Sequence, residues 1–169
     1  MSSPIVEFYR LNEPDSEGRM LSEYWSWDDQ TLEFCHDFIQ WMFPLDEASG
    51  FNPDAPLLTE EDCEAFGRDS LLQNSVRRSL KRFMAFLGLE IGSDGVVGRS
   101  ANFDRRITVW NGMNHNWLRI TRLLKSLRLL GMENEAREVW KCLKMLHNED
   151  GYISDDSFAY WMDAASGLE

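Results

Sequence analysis

Residues 115–131 carry the side chains best suited to hold an anion, because a cation recurs every three positions through a leucine-rich run. At about 100° per residue, the apolar side chains form one inward arc of a helix while the cations sweep across the opposite half. The apolar positions are Ile120, Leu123, Leu124, Leu127 and Leu130, and the cations are Arg119, Arg122, Lys125 and Arg128. Leu118 and Leu129 project on the basic side, and a helix that is apolar on two sides is usually largely buried. Because buried cations need partners, the pattern predicts either structural salt bridges or a site for an anion or an acidic partner.

The first turn of this helix is the stronger candidate site. Asn114 is a favourable N-cap residue, so His115 and Asn116 would lie where backbone N–H groups are exposed. An anion could bind at such a turn, and Arg99 or Arg105 could add a guanidinium to it. The alternative is that His115 only anchors the start of the helix.

Residues 29–42 predict one helix that carries a second candidate group and ends before Pro44. Its apolar face would hold Leu32, Cys35, Phe38, Ile39 and Met42. At the edge of that face, His36 and Gln40 would lie one turn apart and could form a hydrogen-bonding ledge for a ligand. Trp41 would add aromatic surface suited to a peptide. The structural alternative is that the histidine ties neighbouring backbone together and the tryptophan packs in the core.

Charge is distributed unevenly along the chain, whose formal net charge is −12. Residues 1–67 sum to −14, residues 68–144 to +8 and residues 145–169 to −6. This asymmetry indicates either an electrostatic binding surface or internal compensation, in which the acidic ends fold near the basic middle. A negative total argues against non-specific nucleic-acid binding, which requires that phosphates be neutralised. Nucleic-acid binding by the basic faces of residues 77–82 and 119–128 would require both faces to be joined and exposed.

Residue types for catalysis or metal binding form no recognisable motif. The cysteines at positions 35, 63 and 142 are few and widely spaced, which favours free thiols in a reducing cytosol. The sequence has no Cys-x-x-Cys pair, nucleophile elbow or phosphate-binding glycine loop, so we expect no metal and no cofactor. The catalytic alternative is an enzyme acting on an anionic small molecule, with Arg99, Arg105 and Arg119 as clamps.

Helical periodicity dominates the chain and predicts an all-α fold, a compact single domain over residues 1–169 built as a bundle of about seven helices. Helices are expected over residues 19–27, 29–42, from Thr59 onward, 69–87, 115–130, 133–147 and from Ser154, with a short helical segment over 103–111. A long Pro/Gly loop (44–58) and a Gly-rich loop (92–100) interrupt them, and β-like stretches lie near residues 4–9 and 96–97. Residues 148–169 would form a C-terminal loop and helix.

Hydropathy along the chain predicts a cytoplasmic protein. No apolar run approaches the roughly 20 residues that span a bilayer. The first residues, Met1 to Pro4, lack the basic and apolar regions of a signal peptide.

Three stretches, in this order, resemble the conserved N-terminal domain of the opioid growth factor receptor family. Residues 36–45, His-Asp-Phe-Ile-Gln-Trp-Met-Phe-Pro-Leu, look like its H-x-x-I-Q-W-x-F-P-L signature. Residues 98–106 are similar to its G-R-x-x-N-[FY]-x-x-R stretch, which places Arg99 and Asn102 in the motif. Residues 115–131 match its H-N-x-L-R-I-T-R-x-L-K-S-L-x-x-L-G pattern. The resemblance covers about residues 7–147.

The resemblance implies an all-helical domain that, in animal members, is linked to binding a short opioid peptide and to the nucleus or its envelope. Animal members carry long C-terminal extensions with repeats and basic signals, whereas stand-alone domains also occur in bacteria. We expect this chain to resemble the stand-alone, bacterial kind, with a nuclear or membrane association only by analogy.

The sequence therefore predicts a non-catalytic binding module for a peptide, a protein segment or a small anionic ligand, and not for nucleic acid. Its site would lie where the 36–44 helix end, the 92–106 loop and the 115–125 helix meet. The candidate ligand-binding residues are His36, Gln40, Trp41, Arg99, Asn102, Arg105, His115, Asn116, Arg119 and Arg122.

Overall fold

A computed structural model describes residues 2–111, 114–151 and 153–168, and helices dominate them. The predicted all-α class is therefore confirmed. The chain divides into two units, residues 1–82 with 129–131 and residues 83–128 with 132–169, which we call the first and the second unit. The expectation of one domain over residues 1–169 stays a prediction.

The described residues form nine α-helices, one 3-10 helix and one antiparallel hairpin, which is more helices than the sequence predicted. The α-helices are α1 (Pro4–Tyr9), α2 (Leu21–Ser26), α3 (Asp29–Phe34), α4 (Ile39–Met42), α5 (Glu60–Arg68), α6 (Ser70–Phe86), α7 (His115–Leu129), α8 (Glu133–Asp150) and α9 (Asp155–Ala164). The 3-10 helix spans Phe103–Val109, where a short helix was expected, and strands β1 (Leu89–Ile91) and β2 (Val97–Arg99) form the hairpin. The helices expected over residues 69–87, 115–130 and 133–147 are confirmed as α6, α7 and α8.

Residues 4–9 are helical, so the β-like interpretation of this stretch is wrong. The side chain of Ser3 accepts a hydrogen bond from the Val6 amide at 3.3 Å, which caps the helix. Pro4 occupies the first turn, where its missing N–H has no helical partner to lose. The helix has only six residues, which is too short for periodicity to separate it from a strand.

The single helix expected over residues 29–42 is also wrong, because the chain leaves the helical path at Cys35, whose ψ is 126°. The carboxylate of Asp37 lies 2.9 Å from the Arg19 guanidinium and accepts a hydrogen bond from the Cys35 thiol at 3.1 Å. These contacts fix a non-helical connection between α3 and α4. His36 and Gln40 therefore do not lie one turn apart.

In the second unit, part of the Gly-rich loop expected over residues 92–100 is a strand. Ile91 in β1 pairs with Val97 in β2, and the Gly92 amide donates to the Val96 carbonyl at 2.9 Å. Gly95, with φ of +83°, makes the turn between the strands. The loop prediction holds for the turn and fails for residues 97–99.

The inward face predicted for α7 is confirmed. The five apolar side chains predicted for this face are at most 1% exposed, and they are Ile120, Leu123, Leu124 and Leu127 on α7 and Leu130 just after its end. Trp117 on α7 and Trp161 on α9 pack edge to face with ring centres 6.2 Å apart, and the Trp161 indole donates to the Trp117 carbonyl at 3.0 Å. The two helices therefore share the core of the second unit, and Gly131, at φ +75°, follows α7 as a left-handed stop.

Internal charge compensation is present within each unit. Arg82 pairs with Asp29 at 2.8 Å in the first unit, and Arg99 pairs with Glu149 at 3.6 Å in the second. Each pair joins the basic middle of the sequence to one of its acidic ends. Among the described residues, no helix is long and apolar enough to cross a membrane.

Candidate functional site

The residues predicted to bind a ligand divide between the two units. His36, Gln40 and Trp41 belong to the first unit, and the other seven belong to the second. The expectation that the three segments meet at one site stays a prediction.

Gln40, which was expected to form a hydrogen-bonding ledge with His36, is buried together with the other three residues of α4, including Trp41. Gln40 is 4% exposed and Trp41 is 5% exposed, whereas His36 is exposed. The Gln40 Oε1 and the Trp41 Nε1 are nevertheless buried without a hydrogen-bond partner among the described residues. An unsatisfied buried polar atom costs about 1–3 kcal/mol, so these two atoms are unusual in a well-packed core.

The predicted residues of the 92–106 loop have different surroundings. Arg99 pairs with Glu149 and lies 4.8 Å from the ring centre of Phe103, so its guanidinium is already engaged. Asn102 and Arg105 are exposed. Of the three predicted residues in this loop, Arg99 is therefore engaged, and Asn102 and Arg105 face solvent.

Asn114 caps α7 as predicted, since its Oδ1 accepts a hydrogen bond from the Asn116 amide at 2.9 Å. Asn116 is 1% exposed and its own Oδ1 accepts from Arg119 at 3.2 Å. Arg119 is 5% exposed, and His115 and Arg122 are half-buried. The structure thus brings Asn116 and Arg119 together in the interior, where the pair stabilises the start of α7.

A cleft that the sequence did not predict lies in the first unit. It has a volume of about 430 Å³ and is formed by the end of α1, by α2 and by α6. Its lining residues are Tyr9, Arg10, Leu11, Asn12, Trp25, Leu71, Asn74, Ser75 and Arg78. We call it the α1–α6 cleft.

One wall of the cleft is a tryptophan held in a fixed orientation. The Trp25 Nε1 donates to the Ser79 Oγ at 2.9 Å, and the Arg78 guanidinium carbon lies 4.1 Å from the centre of the Trp25 ring. A cation over an indole face is an attractive contact. Because Ser79 and Arg78 are neighbours on α6, the two contacts fasten the ring to that helix.

The end of α1 also lines the cleft, and Leu11 there has a left-handed backbone with φ of 62°. The Asn12 amide donates to the Glu7 carbonyl at 3.0 Å and the Leu11 amide donates to the Phe8 carbonyl at 3.1 Å. This pair of bonds is the Schellman motif, in which the left-handed position is usually glycine. Leucine there is strained, and its side chain is 38% exposed at the cleft.

The charge of Arg10 is balanced by carboxylates. Its guanidinium lies 3.3 Å from both Glu7 and Asp69. Hydrogen bonds from Asn12 and Ser2 hold the pKa of Glu7 below its usual value, and the Leu71 amide, with Arg10, does the same for the pKa of Asp69. Both carboxylates therefore stay ionised beside Arg10, and negative charge exceeds positive charge at this end of the cleft.

A sequence signal for the cleft exists on α6. Leu71, Asn74, Ser75 and Arg78 follow the spacing of one helical face, and Leu71 is an apolar side chain on the otherwise polar side of the helix. It is 72% exposed. An apolar residue at the edge of a polar face indicates a contact surface only when its neighbours in space are known, and those neighbours come from α1 and α2.

The site carries no features of a metal centre. Within the ranges that the structure describes, no three or more His, Cys, Asp or Glu side chains are grouped so that they could hold a metal ion. Burial raises the pKa of the thiols of Cys35, Cys63 and Cys142, so none of them is favoured as a thiolate nucleophile.

Comparison with known proteins places the chain in a family. The model of the opioid growth factor receptor conserved region matches residues 9–166. The chain is 40% identical over 112 residues to the opioid growth factor receptor of Homo sapiens, covering 65% of this chain and 16% of that protein. It is also 40% identical to opioid growth factor receptor-like protein 1 of Xenopus tropicalis over 111 residues (65% of this chain, 22% of the relative). The same protein of Mus musculus is 40% identical over 114 residues (65% and 24%).

The chain spans less than a quarter of the length of these relatives. No solved structure matches it. Since the family match extends over most of the sequence, including all three stretches of the predicted resemblance, the chain belongs to the opioid growth factor receptor conserved-region family.

Proposed function

We propose that this chain is a non-catalytic binding module that holds a peptide or protein segment in the α1–α6 cleft. The observation that carries the proposal is the construction of the cleft. Its lining includes Trp25, which makes two contacts with α6, and Leu11, which has a strained backbone at the end of α1. The relatives are named receptors, and for this chain we take from that name only a binding role.

The dimensions and side chains of the cleft suit a segment of polypeptide. Its volume of about 430 Å³ lies within the range of roughly 300–1,000 Å³ of known ligand pockets. Leu11 and Leu71 offer exposed apolar surface, and Trp25 offers a rigid aromatic ring, which is the residue type that dominates binding energy at interfaces. Asn12 and Asn74 supply amide groups that can bond to a peptide backbone.

The strain at Leu11 supports a binding role for its side chain. A glycine would satisfy the Schellman motif without strain, so leucine costs stability at this position. Strained backbone conformations cluster at functional sites, where the side chain repays the cost. Leu11 lines the cleft, which is where such a side chain would be used.

The proposal is tested by selecting peptides from a random display library on the whole chain and mapping them by NMR. Peptides that bind in the cleft should shift the indole N–H signal of Trp25 and the amide signals of Leu11 and Leu71. Leu71→Arg, which adds a long cation at an exposed position, should weaken binding at least ten-fold.

The matched control is Leu118→Arg. Leu118 is an exposed leucine on α7 in the second unit, 58% accessible against 72% for Leu71. The proposal holds if binding is lost in Leu71→Arg and kept in Leu118→Arg. Equal binding by both variants, with shifts confined to the second unit, would overturn it.

A further inference from the structure

We infer that the segment bound by the α1–α6 cleft is acidic, with a carboxylate about three residues from a large apolar side chain. This inference rests on the proposed function. It adds the chemical class of the ligand and the direction in which it lies along α6.

The exposed face of α6 carries two cations, Arg78 and Lys81, that no carboxylate among the described residues neutralises. Both side chains are exposed, and the two residues are separated by three positions, which is slightly less than one helical turn. Within the described ranges, no Asp or Glu oxygen lies within ion-pair distance of either of them, and Arg78 contacts the Trp25 ring instead.

The other arginines near this face show that carboxylates are available in the first unit. Arg10 is paired with Glu7 and Asp69. Arg82 is paired with Asp29 at 2.8 Å. Residues 1–67 carry 16 acidic side chains and only 2 basic ones. It is therefore notable that Arg78 and Lys81 have no carboxylate partner among the residues that the structure describes. An acidic ligand would supply the missing charge.

The two ends of the cleft differ in charge, and this difference sets the orientation of the ligand. At the α1 end, Glu7 and Asp69 together exceed the charge of Arg10 and would repel a carboxylate. At the other end, Arg78 faces solvent over Trp25. The apolar residue of the ligand therefore lies against Leu11 and Leu71, and its carboxylate lies toward Arg78 and Lys81.

The geometry of α6 sets the spacing between these two ligand groups. Leu71 and Arg78 are seven positions apart, which is about 10 Å at 1.5 Å per helical residue. An extended peptide advances about 3.3 Å per residue, so about three residues cover that distance. The expected pattern is a leucine or phenylalanine followed three positions later by aspartate or glutamate.

An acidic peptide suits this surface better than nucleic acid. The chain has a net charge of −12, which opposes association with a polyanion. Leu11 and Leu71 also present aliphatic surface, which suits an apolar side chain rather than a phosphate backbone. Nucleic acid is therefore an outcome that the experiment must be able to detect.

The test uses two pools of ten-residue synthetic peptides and the full chain immobilised at low salt. Both pools have leucine or phenylalanine at one fixed position and uncharged random residues elsewhere. One pool has aspartate three positions later and the other has asparagine there. We expect the aspartate pool to be retained about five-fold more than the asparagine pool, and the preference to vanish in Arg78→Gln/Lys81→Gln.

The outcomes separate this inference from the proposed function. Equal retention of both pools that is lost in Leu71→Arg would overturn the acidic ligand and leave the binding module intact. If neither pool is retained above Leu71→Arg, the inference fails, and the display selection decides the proposed function independently. Retention of a 20-nucleotide single-stranded DNA in preference to the aspartate pool, lost in Arg78→Gln/Lys81→Gln, would replace the peptide with nucleic acid.

Discussion

The Arg78 guanidinium carbon lies 4.1 Å from the centre of the Trp25 ring, while the nitrogen of the same ring donates to Ser79 at 2.9 Å. Two consecutive residues of α6 thus hold one aromatic side chain of α2. The ring keeps its orientation before any ligand arrives, so little side-chain entropy is lost on binding. A cleft with a preformed wall is the feature that distinguishes this site from the other exposed apolar positions of the chain.

Contact between Arg78 and Trp25 should be measurable as a coupling free energy in the free protein. In a double-mutant cycle of Arg78→Ala and Trp25→Ala, urea unfolding should give a coupling of about 0.5–1 kcal/mol, the range for an exposed cation–π pair. The matched cycle of Lys81→Ala and Trp25→Ala should give a coupling close to zero. Equal couplings in the two cycles would show that Arg78 acts only through general charge.

The leucine at position 11 should lower the stability of the chain through its left-handed backbone, while its side chain contributes to binding in the cleft. Leu11→Ala and Leu11→Gly remove the same contacts, but only glycine relieves the left-handed strain at φ 62°. We expect the glycine variant to be more stable than the alanine variant by about 1 kcal/mol in urea unfolding. Both variants should bind cleft-selected peptides more weakly than the natural chain. An alanine variant as stable as the glycine variant would mean that the backbone relaxes without cost.

The sequence predicted helices well where apolar spacing ran uninterrupted over many residues. In α7, every leucine assigned to the inner face is buried, because a helix of 15 residues gives several turns of agreement. The prediction of one helix over residues 29–42 was wrong even though its apolar spacing is also uninterrupted. Its apolar spacing continues through Cys35, while the break depends on the contact between Asp37 and Arg19, which are 18 positions apart.

The candidate site was harder to predict than the fold. The spacing of the cations in the sequence indicated a candidate site on α7, but Arg119 is buried against Asn116. The α1–α6 cleft depends on side chains from three helices, and one of its walls is formed by an unexpected leucine in a left-handed conformation. Neither proximity nor backbone conformation can be obtained from residue spacing alone.

Because Cys142 is buried, the free energy of unfolding should decrease as the pH rises through the alkaline range. Burial raises the pKa of this thiol to about 11, with Arg99 opposing the change, from an ordinary value near 9.0. Between these two pKa values the folded state keeps the thiol proton of Cys142 while the unfolded state releases it. Below about pH 9 both states keep the proton, so the contribution of this thiol to the free energy of unfolding is fully present. This contribution is lost as the pH rises toward 11, by about 2–3 kcal/mol in total.

The difference in unfolding free energy between the natural chain and Cys142→Ala should shrink by that amount from pH 8 to pH 11. Cys63→Ala, at a half-buried position, should show a smaller change, and an equal change would contradict the assignment to Cys142.

Replacing Gln40 should test whether its buried side-chain oxygen contributes to the stability of the free protein. Gln40→Met keeps the approximate shape of the side chain and removes a buried acceptor that makes no hydrogen bond to any residue in the described ranges. We expect no loss of stability, or a gain of up to about 1 kcal/mol, because no hydrogen bond is broken and a desolvation cost is removed.

Gln73→Met is the matched control. The Gln73 amide donates to the carbonyls of Phe66 and Gly67 at 3.0 and 3.1 Å, so its loss should cost about 1–2 kcal/mol. If the two variants lose the same stability in urea unfolding, Gln40 holds a polar partner such as an ordered water, and its buried oxygen is satisfied in solution.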